Sequence, residues 1–133
     1  MKVIIAGSRS IAEYQYLLDA IKESGFDIDT IISGHAFGVD SLGEKFAQEN
    51  CLSLRIKPAK WKEIDVPGAV IKRNKFGKPY NAVAGHWRNE EMAKIADALI
   101  LIWDGKSSGS ANMKKIAQRY DLKIYEKIIK TIG

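Results

Sequence analysis

The sequence predicts a three-layer α/β fold built on a parallel five-stranded sheet. Three observations lead there. Five short apolar runs alternate with segments of helical period. Alternating strands and helices form parallel sheets that carry helices on both faces. The runs also differ in texture, which separates central strands from edge strands.

Val3–Ala6 opens the series and is continuously apolar, as a strand buried on both faces requires. Ile11, Tyr14, Leu17, Leu18 and Ile21 then recur at helical spacing, and Ser10 with Glu13 fits a capping box that opens that helix. Ile28–Ile32 is the second strand. Leu42, Phe46 and Ala47 mark the next helix, with Ser41 and Glu44 as a second capping box. In the third strand, Leu52–Ile56, apolar residues alternate with Ser53 and Arg55, the pattern of an edge. Cys51 begins it and is expected to be a small buried hydrophobe. Ala98–Trp103 is again continuously apolar. Met113, Ile116, Ala117 and Tyr120 form a helical stripe, and Leu122–Tyr125 alternates around Lys123 as a second edge. With right-handed crossovers the strand order is 3-2-1-4-5. The first and fourth strands then meet at the topological switch point, where open α/β sheets bind ligands.

One stretch breaks this rhythm. Residues 62–83 show no sustained period but contain the turn signals Val66-Pro67-Gly68 and Gly77-Lys78-Pro79. They read as an insertion, a β-hairpin lying over the carboxyl ends of the strands. Residues 1–133, the insertion included, read as one domain.

Composition narrows the function. Of 133 residues, 21 are Lys or Arg and 16 Asp or Glu, a net charge of +5; 46% are hydrophobic and 28% charged. These values exclude a disordered chain, and the positive excess hints at phosphate-bearing partners. One cysteine excludes a disulfide framework or a four-Cys zinc site. His35, His86 and Cys51 have no metal-ligand spacing, so neither metal nor cofactor is expected. The longest apolar run is far shorter than the ~20 residues that span a bilayer. The first strand begins at Lys2 with no leader ahead of it. A cytoplasmic protein without membrane contact is the expectation.

Three turns at strand ends carry the candidate chemistry: Gly7-Ser8-Arg9-Ser10, Ser33-Gly34-His35-Ala36-Phe37-Gly38-Val39-Asp40, and Asp104-Gly105-Lys106-Ser107-Ser108-Gly109-Ser110. Each is small, rich in hydroxyls and enters a helix N-terminus, where free N–H groups attract anions. Glycine lets a phosphate approach the backbone, though such turns also need Gly and Ser for geometry and caps. Neither a P-loop nor a dinucleotide fingerprint fits: the first would need glycine at Ile100, the second at Arg9 and Ala12. His35 could donate to a phosphate, Asp40 could cap its helix, and Asp104 could accept from a ribose hydroxyl. In Ala84–Met92, Arg88 and Met92 share a helix face. Arg88 there either meets an anion or sugar or pairs with Glu91. Trp61 and Trp87 flank the insertion and could stack a base, with a core role for at least one. Lys72, Arg73, Lys75 and Lys78, interleaved with Phe76 and Tyr80, suit a lid over a polyphosphate, a single-stranded nucleic-acid groove, or a solvated loop.

Gly7-Ser8-Arg9, Ser33-Gly34-x-Ala36-x-Gly38-Val39-Asp40, Pro58-Ala59-x-Trp61, Ala84-Gly85-x-x-Arg88-Asn89-x-x-Met92 and Asp104-Gly105-x-Ser107-x-Gly109-Ser110 together resemble the SLOG superfamily. More closely they resemble its small stand-alone YspA-like branch. The resemblance runs from Val3 to about Tyr125. It implies a Rossmann-like fold, a homo-oligomer, and a site for a nucleotide or nucleotide-derived ligand. That site would use Gly7, Ser8, Arg9, Ser33, Gly34, His35, Gly38, Asp40, Arg88, Asn89, Asp104, Gly105, Ser107, Gly109 and Ser110. The superfamily also contains LONELY GUY-type phosphoribohydrolases and DprA-type single-stranded-DNA binders. In the hydrolase branch an Arg matching Arg88 and a Glu serve catalysis, but Met113 stands in the Glu place. Methionine can neither activate water nor stabilise an oxocarbenium ion. Binding is therefore the first reading, with N-glycosidic hydrolysis through Arg88 and nucleic-acid binding as alternatives.

Overall fold

In the computed structural model, which describes residues 1–130, the runs become strands in the expected places. β1 (Lys2–Gly7), α1 (Tyr14–Ser24), β2 (Thr30–Ser33), α2 (Val39–Glu49) and β3 (Ser53–Ile56) form the first half. A hairpin of β4 (Ile71–Arg73) and β5 (Pro79–Asn81) follows. α3 (Ala84–Ile95), β6 (Ala98–Trp103), α4 (Ser108–Arg119) and β7 (Lys123–Ile128) complete the chain. The five-stranded sheet is ordered β3-β2-β1-β6-β7 and every pair in it is parallel. With the two hairpin strands set aside, this is the predicted 3-2-1-4-5, a Rossmann-like three-layer fold. Thr131, Ile132 and Gly133 of the expected domain lie outside the described residues.

Strand alternation sorts the core into two layers. Val3 and Ile5 of β1, with Ile100 and Ile102 of β6, pack against Leu17 and Ala20 of α1 and Val39 and Ala47 of α2. Ile4, Ala6, Leu99, Leu101 and Trp103 point the other way, onto Met92 of α3 and Met113, Ile116 and Ala117 of α4. All six residues of β6 are buried, whereas β3 and β7 carry none, which is the centre and edge difference read from their texture.

Three local expectations are corrected. Neither capping box forms. α1 starts only at Tyr14, because the chain first turns at Ser8–Ile11 to bury Ile11, and Glu13 takes the N-cap place without a side-chain bond. α2 starts earlier than its box, at Val39, so Ser41 lies inside the first turn and donates to the Ala36 carbonyl while Glu44 turns to Ser33 and His35. Cys51 is exposed rather than buried: it sits at φ 53° in the turn leaving α2, before β3 begins.

Close approach of α2 to the sheet rests on Gly43, where a Cβ would stand 2.7 Å from Ile5 Cβ. Gly43→Ala should therefore destabilise the protein by about 1–3 kcal/mol in urea unfolding, as overpacking does. Alanine's better helix propensity, worth about 1 kcal/mol, works in the opposite direction and does not restore it.

Candidate functional site

The carboxyl ends of β1 and β6 separate into different turns and leave a cavity of about 480 Å³ between them. Its size falls within the range of roughly 300–1,000 Å³ typical of small-molecule sites. The β1 turn contributes Gly7, Ser8, Arg9 and Ser10, and the turn and helix start after β6 contribute Asp104, Ser107, Ser108, Gly109 and Ser110. Ala36 and Asp40 come from the turn and helix after β2, while Gly85, His86, Arg88, Asn89 and Met92 come from α3. Trp61, just before the insertion, and Ala82, near its end, close the wall.

The β1 and β6 turns are fastened to one another. Ser8 N–H donates to the Ile102 carbonyl at 3.1 Å, and Ser8 Oγ accepts from Asp104 N–H at 3.1 Å. Gly7 is needed for packing: a Cβ there would overlap the Ile102 carbonyl. Asp104 Oδ1 accepts from Lys106 N–H at 2.8 Å and Ser107 N–H at 2.9 Å. Those donors hold the Asp104 carboxyl below its ordinary pKa, with Ser8 adding to the effect. Ser107 caps α4 by accepting from Ser110 N–H. The N–H groups of Ser108 and Gly109 are left unpartnered among the described residues at the positive end of α4. A Cβ on Gly109 would meet nothing within 4 Å, so this turn faces open space.

Arg88 and Asp40 form the second half of the site. Arg88 Nη1 donates to the Gly34 carbonyl at 2.7 Å and Nε to Asn89 Oδ1 at 2.9 Å. It does not pair with Glu91. Asn89 is buried and bonds Asn112 Oδ1 at 2.9 Å, which fixes α3 against α4. Asp40, only 5% exposed, accepts one hydrogen bond, from Ala36 N–H to Oδ2 at 3.2 Å. It is therefore not the N-cap of α2, a place held by Gly38 at φ 77°. Burial pushes the Asp40 carboxyl above its ordinary pKa, and Glu44 adds to the rise. The Ala36 N–H, Arg88 and Arg9 oppose it without cancelling it. Burial likewise lowers Arg88, against the pull of Asp40.

Not every expected residue faces the cavity. Ser33 is fully buried and donates to Glu44 Oε2 at 2.8 Å, so its hydroxyl is committed beneath the site. His35 turns its Nδ1 to Glu44 at 3.0 Å, away from the lining. Gly34 and Gly38 act through what they lack. A Cβ on Gly34 would strike Arg88, and one on Gly38 would strike the Ser8 and Arg9 backbone. Gly105 turns the chain at φ 82° outside the lining.

Ala6 and Ala82 join the wall without a sequence signal of their own, whereas Ala36 and Ser108 lie in turns that the sequence marks. Trp61 lines the cavity in edge contact with Tyr80, whereas Trp87 covers Gly68 and belongs to a separate small depression. The insertion borders the site only at its base. Residues 71–79 are all exposed and none lines the cavity. Among the described residues no cluster of His, Cys, Asp or Glu could hold a metal, and no helix is long and apolar enough to cross a membrane.

The raised Asp40 pKa fixes the sign of one stability effect. The folded state holds this proton more firmly than the unfolded chain. The contribution of Asp40 to stability is thus fullest below the ordinary carboxylate pKa, near about 3.9, and is lost as pH rises through the raised folded value. Asp40→Asn, which keeps an acceptor for Ala36, should melt above the wild type at pH 7. Its advantage should shrink toward about pH 4 in parallel melts.

The chain matches no protein-family model, no curated protein and no solved structure.

Proposed function

We propose that this protein binds a nucleotide or nucleotide-derived ligand at the carboxyl ends of its central strands, as a SLOG-like module that senses, sequesters or processes it. One observation carries the reading. A cavity at the switch point joins the open N-terminus of α4 to two arginines, Arg9 and Arg88. Phosphate would meet the Ser108 and Gly109 N–H groups, Ser110 and Arg9. Arg9 is exposed and makes no hydrogen bond or ion pair among the described residues, which suits a group reserved for a ligand. Trp61, 37% exposed and part of the lining, would supply an aromatic ring for a base to pack on.

Met113 favours binding over N-glycosidic cleavage. It stands in the place of the hydrolase glutamate, is 1% exposed, and packs with Ile116 and Ala117 in the core.

A broad panel including mono- and dinucleotides, ADP-ribose and cyclic dinucleotides should contain compounds that raise the melting temperature by linkage. Arg9→Ala should weaken the best of them roughly 10-fold or more, the loss of a charged hydrogen bond. It should leave the free protein within about 0.5 kcal/mol of wild-type stability, as surface changes do. A panel with no shift removes the reading, and free base released from a nucleoside monophosphate would replace binding with hydrolysis.

A single-stranded nucleic acid is the second reading, favoured by the hairpin. Lys72, Arg73, Lys75 and Lys78 are all exposed, Phe76 is 77% exposed at the tip, and no acidic residue occurs between Asp65 and Glu90. Neutralising the four cations should flatten the dependence of oligonucleotide affinity on salt. An unchanged slope would eliminate the groove.

A further inference from the structure

Two carboxylates line the cavity, and they are not equivalent. Asp104 Oδ1 accepts from two backbone N–H groups of its own turn, and the side chain is only half-buried. Asp40 accepts only at Oδ2, so its Oδ1 has no hydrogen-bond donor among the described residues although the side chain is almost wholly buried. Arg88 is its counterpart. Nε and one Nη1 hydrogen are committed to Asn89 and Gly34, which leaves the Nη2 hydrogens of a five-donor group unused.

These two unsatisfied groups share one corner. A Cβ on Gly34 would lie 2.5 Å from Arg88 Nη1 and 2.9 Å from Asp40 Oδ2, so both side chains crowd the same point. Yet no direct ion pair joins them among the described residues. Both side chains also line the cavity, so a ligand there meets a carboxylate acceptor and guanidinium donors side by side. A phosphate does not suit this corner, because the carboxylate repels a second anion. A hydroxyl pair does, since each oxygen both donates and accepts.

Resting on the nucleotide reading above, we infer that Asp40 and Arg88 bracket the 2′,3′-diol of a ribose, and that this corner makes the site selective for ribonucleotides over deoxyribonucleotides. The position along the cavity agrees. Gly38, two residues before Asp40, packs directly on the Ser8 and Arg9 backbone, so the corner adjoins the turn that would hold phosphate. On the other side, Gly85 separates Arg88 from Trp61: its Cβ would lie 3.7 Å from Arg88 Nη2 and 3.1 Å from Trp61 Cη2. Phosphate turn, Asp40–Arg88 corner and Trp61 thus follow each other in the order of phosphate, sugar and base. The ribose role expected for Asp104 is assigned here to Asp40 instead, because Asp40 is the carboxylate beside Arg88 and the more deeply buried of the two.

The test titrates the four ribonucleoside 5′-monophosphates and diphosphates, each against its 2′-deoxy form, by calorimetry and thermal shift. Wild-type protein should prefer the ribo form by roughly 10- to 100-fold, the range for a hydrogen bond to a charged group. Asp40→Asn and Asp40→Ala should bring the two forms within a few-fold of each other while still binding the deoxy form. Equal binding of both forms by the wild type, or an undiminished ribo preference in both variants, overturns the diol assignment and leaves nucleotide binding standing. Absence of binding by every ribo and deoxy probe overturns the diol assignment, and the nucleotide reading falls with it when the broader panel of dinucleotides, ADP-ribose and cyclic dinucleotides gives no shift either.

Discussion

The pairing of β1 with β6 is the constraint on which the rest of the molecule depends. Five residue pairs hold these strands in parallel register, from Val3 opposite Ala98 to Gly7 opposite Ile102. Their side chains supply both core layers, so helices on either face are seated by the same ladder. β1 continues toward β2 and β6 toward β7, so the chain leaves this pair in opposite directions at its carboxyl end. A space opens there because no crossover passes over it. Gly7 allows the strands to stay in contact up to the last residue, and Ser8 then ties the two departing turns together.

That geometry explains why so little of the cavity wall is made of large side chains. Polar groups placed where strands end either satisfy one another or keep unused hydrogen-bonding capacity, and both kinds occur here. Asp104, Ser107 and Ser8 form a closed network that shapes the backbone. Asp40, Arg88, Arg9 and the first N–H groups of α4 remain open. Burial disfavours the charged form of both Asp40 and Arg88, and their mutual attraction reduces that effect without cancelling it. Such a pair opposes folding, and proteins commonly accept that opposition where a site needs it.

Much of this was legible in the sequence, for reasons that differ between elements. The strand order followed from texture because burial on two faces demands continuous apolar residues, as in Ala98–Trp103, and burial on one face demands alternation, as in Leu52–Ile56. Helix starts were less legible. Ser10 with Glu13 and Ser41 with Glu44 match a capping pattern, yet Ile11 had to reach the core and Gly38 had to touch the first turn, and tertiary packing overrode both. Cys51 was misread because nothing local marks a non-glycine residue that closes a helix at positive φ. At the site, the turns were visible as Gly- and Ser-rich strand ends, but which side chains face inward was not. Ser33 and His35 look as chemically able as Asp40. Only the path of α2 turns them toward Glu44 and leaves Asp40 at the cavity.

The β4–β5 hairpin has a different relation to the fold. It forms its own two-stranded sheet, and its turn is closed locally by Asn74, which accepts at Oδ1 from Phe76 and Lys78 N–H. Its root is held by Asn81, fully buried, which donates its N–H to the Trp61 carbonyl and accepts from Val70 and Val83. A ribbon of two strands is marginally stable by itself. With residues 71–79 exposed and no strand partner outside the pair, local opening of the hairpin is expected to cost less than global unfolding, while Asn81 anchors its base. The exposed tip can thus open at little cost to the core, while Asn81 and the Trp61–Tyr80 contact tie the hairpin's root to the cavity wall.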